Sequence, residues 1–109
     1  MEQTDCIFCK IVAGDIPSRK VHHEDESVVS FLDINPQAAG HTLVIPTEHY
    51  TWFQDMPDAA YDNLMRASKR IARELKAEHK ADFIKLRIDG RDVPHVHVHL
   101  IPQFLQKSS

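Results

Sequence analysis

The stretch PHVHVHLIP, residues 94–102, sets His95, His97 and His99 on every second position, with Val96, Val98 and Leu100 between and after them. In a strand, successive side chains leave opposite faces and alternate ones stand roughly 6.6 Å apart. The pattern therefore predicts a strand with Val96, Val98 and Leu100 turned to a core and three imidazoles along the other face. A helix does not account for it, because residues two apart do not share a helical face.

Working outward, DFIKLRID (82–89) alternates Phe83, Lys85 and Arg87 with Ile84, Leu86 and Ile88, which is again a strand. GRDV (90–93) reads as a tight turn, so these two strands are expected to form an antiparallel hairpin. Before them lies QDMPDAAYDNLMRASKRIARELKAEHK (54–80), in which Tyr61, Leu64, Met65, Ser68, Ile71, Ala72 and Leu75 recur at helical spacing. Asp55 is placed to cap this helix and Pro57 suits its first turn. Arg66, Lys69, Arg70, Arg73 and Lys76 fall largely off the apolar stripe and read as a solvated face. SVVSFLDI (27–34) and TLVIP (42–46) are rich in β-branched residues and read as strands, the second stopping at Pro46. CIFCKIVAG (6–14) puts Ile7 and Ile11 four apart, beside Phe8 and Val12, as a short helix closed by Gly14. DIPS (15–18) then turns. Helix, strands, one long helix and strands in that order argue an α+β fold with a mainly antiparallel sheet.

The totals agree with one soluble domain over residues 1–109. Apolar residues make up 42% of the chain and charged residues 27%, an ordinary balance. A net charge of −3 gives no overall basic field for nucleic acid. No apolar run is long enough to span a bilayer. MEQTDCIFCK has neither a basic nor an apolar signal region. Cys6 and Cys9 stand too close together to brace a fold, so they read as reduced thiols or metal ligands in a cytoplasmic protein.

The eight histidines are the unusual count, three of them in the opening stretch. A wet strand face is the bland explanation, and perfect alternation argues against it because histidine has no special strand preference. A catalytic metal is the second; imidazole is a common zinc ligand, but one flat strand supplies poor tetrahedral geometry and no HExxH helix accompanies it. Nucleophilic catalysis is the third. Neutral imidazole attacks phosphorus or acyl carbon when one nitrogen is held as N–H and the other keeps its lone pair. Neighbouring imidazoles can then hold substrate oxygens and move a proton.

Three segments, in this order and spacing, resemble the histidine-triad (HIT) family, in its Hint-like bacterial branch with CxxC. HVHVHLI (95–101) matches the family motif of three histidines alternating with apolar residues, and FLDINPQAAGHTLVIPTEHY (31–50) and CIFCKIVAGDIPS (6–18) match its central and N-terminal segments. The resemblance implies the HIT-like α+β fold, a mainly antiparallel five-stranded sheet with one long and one short helix, and a homodimer joined through the long helix and final strands. It implies cleavage of a nucleotide phosphoramidate or phosphoanhydride bond, leaving an AMP- or GMP-type product. His97 would attack the α-phosphate to form a nucleotidyl-histidine, His99 would contact the phosphate and leaving group, and His95 would orient the site. Ile7, Phe8, Ile11, Leu32, Asp33 and Ile34 would form the nucleoside pocket; an apolar slot suits a base and a carboxylate suits a ribose diol. Taken alone, Asp33 reads as a turn residue. Cys6, Cys9, His49 and His95 would hold a structural zinc, with no metal needed for the chemistry.

Two other classes of function stay open: a non-catalytic nucleotide sensor or interaction module, and a zinc-dependent hydrolase. The loop before the triad departs from the family's Gly-Gln-Ser/Thr pattern. Asp92 stands about where the hydroxyl residue is usual, and Ile88 near a position that is often Asn or Gln. Arg91 is open between a phosphate or leaving-group contact in their place and a residue that merely faces solvent. His41 is open between a site role and a loop or core role. His22, His23 and His79 read as surface residues, and Trp52 and Phe53 as packing residues.

Overall fold

A computed structural model describes residues 6–16, 20–24, 27–91 and 93–105. The described elements are α1 (Ile7–Ala13), β1 (Lys20–Glu24), β2 (Val28–Leu32), β3 (Thr42–Pro46), a 3-10 turn (Phe53–Asp55), α2 (Asp58–His79), β4 (Phe83–Ile88) and β5 (Val98–Gln103). The strands form one five-stranded sheet in the order β1-β2-β3-β5-β4. Every neighbouring pair is antiparallel. The α+β expectation and the strand count hold.

The sheet separates two apolar clusters by the strand period. Val28, Val44, Val98 and Leu100 leave one face and pack with Leu64, Ala67, Ile71 and Leu75 of α2. Full burial of each large aliphatic side chain in such a layer is worth about 1.5–3 kcal/mol over exposure. Val29, Phe31, Leu43 and Ile45 leave the other face and pack with Cys6, Phe8 and Ile11 at α1. Cross-strand register puts Leu43 opposite both Phe31 and His99, so His99 lies on the α1 side of the sheet, and Val98 on the α2 side.

Several local readings need correction. Asp55 does not cap α2; it ends the 3-10 turn, and Pro57 occupies the capping position without a side-chain cap. Pro57 lacks the amide that the following turn does not need. Of the α2 stripe, Tyr61 at the first turn is 42% exposed, whereas Ser68 is buried with its hydroxyl donating to the Leu64 carbonyl at 2.8 Å. The link from β4 to β5 is not a tight turn, because regular pairing begins at Val98, not Pro94. The His95 amide donates to the Val93 carbonyl at 2.8 Å and the Val96 amide to the Tyr50 carbonyl at 2.7 Å, which draws this segment away from β4. Ile7 is on the exposed side of α1. Gly14 does close that helix, at φ +86°. Trp52 and Phe53 are each 43% exposed, although the Trp52 ring lies against Gly90. Asp92, part of the DIPS turn and the His22 and His23 side chains lie outside the described residues.

Gly40 also adopts φ +86°, and a Cβ there would stand 2.3 Å from His79 Nε2. The absent side chain lets the end of α2 press its imidazole onto the loop between β2 and β3. His79 is therefore a partly buried packing residue rather than a surface one.

Candidate active site and metal centre

The three triad histidines are at most 5% exposed, which rules out a wet strand face. Burial raises the cost of any polar atom without a partner, and the partners present assign a tautomer to each ring. Carbonyl oxygens only accept, so each carbonyl contact marks an N–H. His95 Nε2 lies 3.0 Å from the Pro46 carbonyl; it donates there, and its Nδ1 keeps the lone pair. His97 Nδ1 lies 2.8 Å from the His95 carbonyl; it donates, and its lone pair is on Nε2.

His99 is set by a longer chain. The Gln37 amide donates to His41 Nδ1 at 3.0 Å. His41 Nε2 must then carry the proton, and it meets His99 Nδ1 at 3.0 Å and Asp33 Oδ2 at 3.4 Å. His99 Nδ1 accepts, so its Nε2 is an N–H, buried and without a hydrogen-bond partner among the described residues. Burial, with His97 and Arg87 adding to it, holds His99 down to about 4, and burial also lowers His41. Both are neutral at pH 7, as the chain of donors and acceptors requires. The 33–41 loop thus brings His41 into the site; its spacing from the triad in sequence carried no sign of this.

His97 and His99 line one wall of a cavity of about 480 Å³. Ile7, Phe8, Ile11, Leu32, Asp33 and Ile34, the expected nucleoside pocket, all line it too. Ile16, Phe31, Asn35, Leu43 and Val93 join them and were missed. The period of two in β2 and β3 puts Phe31 and Leu43 on the His99 face, but only once the register is known. Asp33 fills both of its readings. Its Oδ1 accepts from the Asn35 amide at 2.9 Å, as a turn residue does, while Oδ2 faces His41. Arg91 is not among the lining residues: its side chain is 87% exposed and its Nε lies 3.5 Å from Asp89 Oδ1.

Cys6, Cys9, His49 and His95 meet on the far side of His95. Their ligand atoms all lie within 4.8 Å of one another. Cys6 Sγ is 3.2 Å from His95 Nδ1, and Cys9 Sγ is 3.2 Å from His49 Nδ1. The donor set fits a tetrahedral metal: two sulfurs, and in His95 a lone pair aimed at them with the opposite nitrogen tied to a carbonyl. Burial, with Pro46 opposing and His49 and His97 assisting, holds His95 down to about 4, so it is neutral, as a ligand must be. Burial and the contact with Cys6 push the Cys9 thiol up to about 11; a metal bound there would displace its proton. A second group, Asp33, His41 and His99, is equally close, but its His41 and His99 nitrogens already face each other as donor and acceptor.

The HIT domain matches residues 13–106, and the chain belongs to that family. It is 45% identical over 106 residues to an uncharacterized HIT-like protein of Methanocaldococcus jannaschii, covering 91% of this chain and 79% of that one. It is 40% identical over 107 residues to the adenosine 5′-monophosphoramidase of Saccharomyces cerevisiae, covering 94% and 65%. The fold is similar to a Zn-bound histidine triad family protein of Mycobacterium smegmatis, with TM-score 0.85, 34% identity, and 94% and 77% of the two chains covered. No helix among the described residues is long and apolar enough to cross a membrane.

Proposed function

We propose that this protein is a nucleotide hydrolase that cleaves a phosphoramidate or phosphoanhydride bond through a nucleotidyl-His97 intermediate. The observation that carries the reading is the pairing of opposite tautomers in one apolar-walled cavity: a lone pair on His97 Nε2 and an N–H on His99 Nε2. The base lies among Phe8, Ile11 and Leu43, and Asp33 accepts from the ribose hydroxyls. His97 Nε2 attacks the α-phosphorus as the bond to the leaving group breaks and its electron pair departs with that group. His99 hands its Nε2 proton to the leaving atom, and the negative charge this leaves is offset by the positive nucleotidyl-His97. Water then attacks the phosphorus, breaks the bond to His97 and returns a proton to His99. Splitting the displacement in two lowers each barrier, and the chemistry is mostly positioning and charge. The monophosphoramidase name of the yeast relative supports the substrate class.

Zinc is the metal the Cys₂His₂ set suits, as the Zn-bound relative also suggests. Cys6, Cys9, His49 and His95 would supply four protein ligands, so a bound zinc would hold α1 to His95 and serve structure rather than the chemistry. The protein would act as a homodimer, for which exposed apolar Tyr61, Leu86, Phe104 and Leu105 offer surface. Incubation with a panel of nucleotide adducts, a basic quench and intact mass spectrometry tests the chemistry. A nucleotidyl adduct on wild type and none on His97→Ala is expected; full turnover by His97→Ala refutes the nucleophile. Metal analysis should give close to one zinc per chain, and less than about a quarter-equivalent after mild purification refutes that site.

A further inference from the structure

GRDV (90–93) supplies no hydroxyl, but the strand before it, β4, carries a cation. Arg87 stands directly opposite His99 in the β4–β5 register. Directly opposed residues share a face of the sheet, so the Arg87 side chain leaves the same face as the His99 ring. Their neighbourhood is polarised. On the β2 side Asp33 Oδ2 lies 4.0 Å from His99 Nδ1; on the β4 side the residue opposite His99 in the ladder is Arg87, whose charge acts on His99. β4 is the edge of the sheet, and this side is open: the Arg87 side chain is 37% exposed. Its ion pair with Asp89 is loose, at 3.9 Å from Nη1 to Oδ2, and Asp89 is engaged more closely by the Arg91 backbone amide at 3.1 Å and by Arg91 Nε at 3.5 Å. Two arginines on one carboxylate leave the group cationic. The same guanidinium helps keep both His99 and His41 neutral, which agrees with its place beside them.

Resting on the proposed hydrolase reading, we infer that Arg87 selects the leaving group, and that the preferred substrates are nucleotide adducts whose leaving group carries its own phosphate or carboxylate. With the nucleoside in the Asp33 cavity and His97 attacking, the leaving group departs past His99, and β4 is the next strand on that side. A planar guanidinium takes an oxyanion there in bidentate fashion, which an ammonium cannot. Arg87 takes the part that the sequence suggested for Arg91.

The test compares kcat/KM for two adenosine 5′-phosphoramidates of nearly equal size, one of glycine and one of glycinamide. A second arm compares binding of ADP with binding of AMP by calorimetry, which needs no turnover. In wild type the glycine adduct and ADP are favoured. Arg87→Ala should lower the glycine-to-glycinamide ratio or the ADP-to-AMP affinity ratio at least tenfold, Arg87→Lys should restore part of it, and Arg91→Ala should leave both within twofold. A change confined to the first arm assigns the anion as carboxylate, and one confined to the second as phosphate. Ratios unmoved in both arms by Arg87→Ala, or moved instead by Arg91→Ala, overturn the inference. If no adduct is turned over and ADP preference still depends on Arg87, the hydrolase reading fails and the anion site stands.

Discussion

The site's logic is written in which nitrogen of each imidazole bears a proton. Three histidines in one register alternate their tautomers because their fixed partners alternate: a carbonyl for His95 Nε2, a carbonyl for His97 Nδ1, and His41 for His99 Nδ1. Two of these partners are main-chain atoms that no substitution removes. The third is a side chain, and His41 is the point where the network can be cut. His41→Ala should lower kcat/KM roughly a hundredfold, the low end of what a positioned proton donor contributes, while AMP affinity changes little. Equal loss in affinity and turnover would mean that His41 only holds the loop. At this scale the sequence announced the triad through its period. It left His41 open between a site role and a loop or core role and gave no sign of Arg87, because both act through cross-strand and loop contacts that spacing along the chain does not encode.

At the scale of elements, the loop between β2 and β3 is held from behind by α2. Gly40 at φ +86° lets His79 close against it. Gly40→Ala should cost about 1–2 kcal/mol for the left-handed backbone alone, and more for displacing the imidazole. Adding His79→Ala should recover the second part and not the first, so the two changes should be non-additive in urea unfolding. Four strands, the long helix and the short helix with its Gly14 cap were legible from their apolar patterns, whereas β1 (Lys20–Glu24) has no such pattern and was implied only by the family's five-stranded sheet. Two boundaries were not. Asp55 looked like a cap because its residue type favours that role, but the 3-10 turn took it. Pro94 looked like a strand start, but the amides of His95 and Val96 are claimed by Val93 and Tyr50 before β4 can reach them.

For the whole molecule, buried neutral histidines tie stability to acidity. His99 is held at about 4 against an ordinary 6.5, and His41 is lowered in the same direction. The unfolded chain takes up these protons near 6.5 and the folded one does not. The contribution of these two groups should be constant above about pH 7 and fall as pH drops from about 6.5 towards 4. Thermal melts should show that fall, with a shallower slope in His99→Asn. A slope unchanged by that substitution would place the acid sensitivity elsewhere.

One strand serves both halves of the molecule. Along β5 and the residues before it, Val96, Val98 and Leu100 belong to the layer under α2, and His97 and His99 to the cavity. Tolerance to mutation should therefore follow the parity of residue number. In a library of all single substitutions scored once for cellular abundance and once for turnover, even positions from 96 to 100 should fail on abundance. Positions 97 and 99 should fail chiefly on turnover. Substrate range can then drift on one side of the sheet while the other side keeps the chain folded, which is the kind of partition that lets a small domain diversify without first being stabilised.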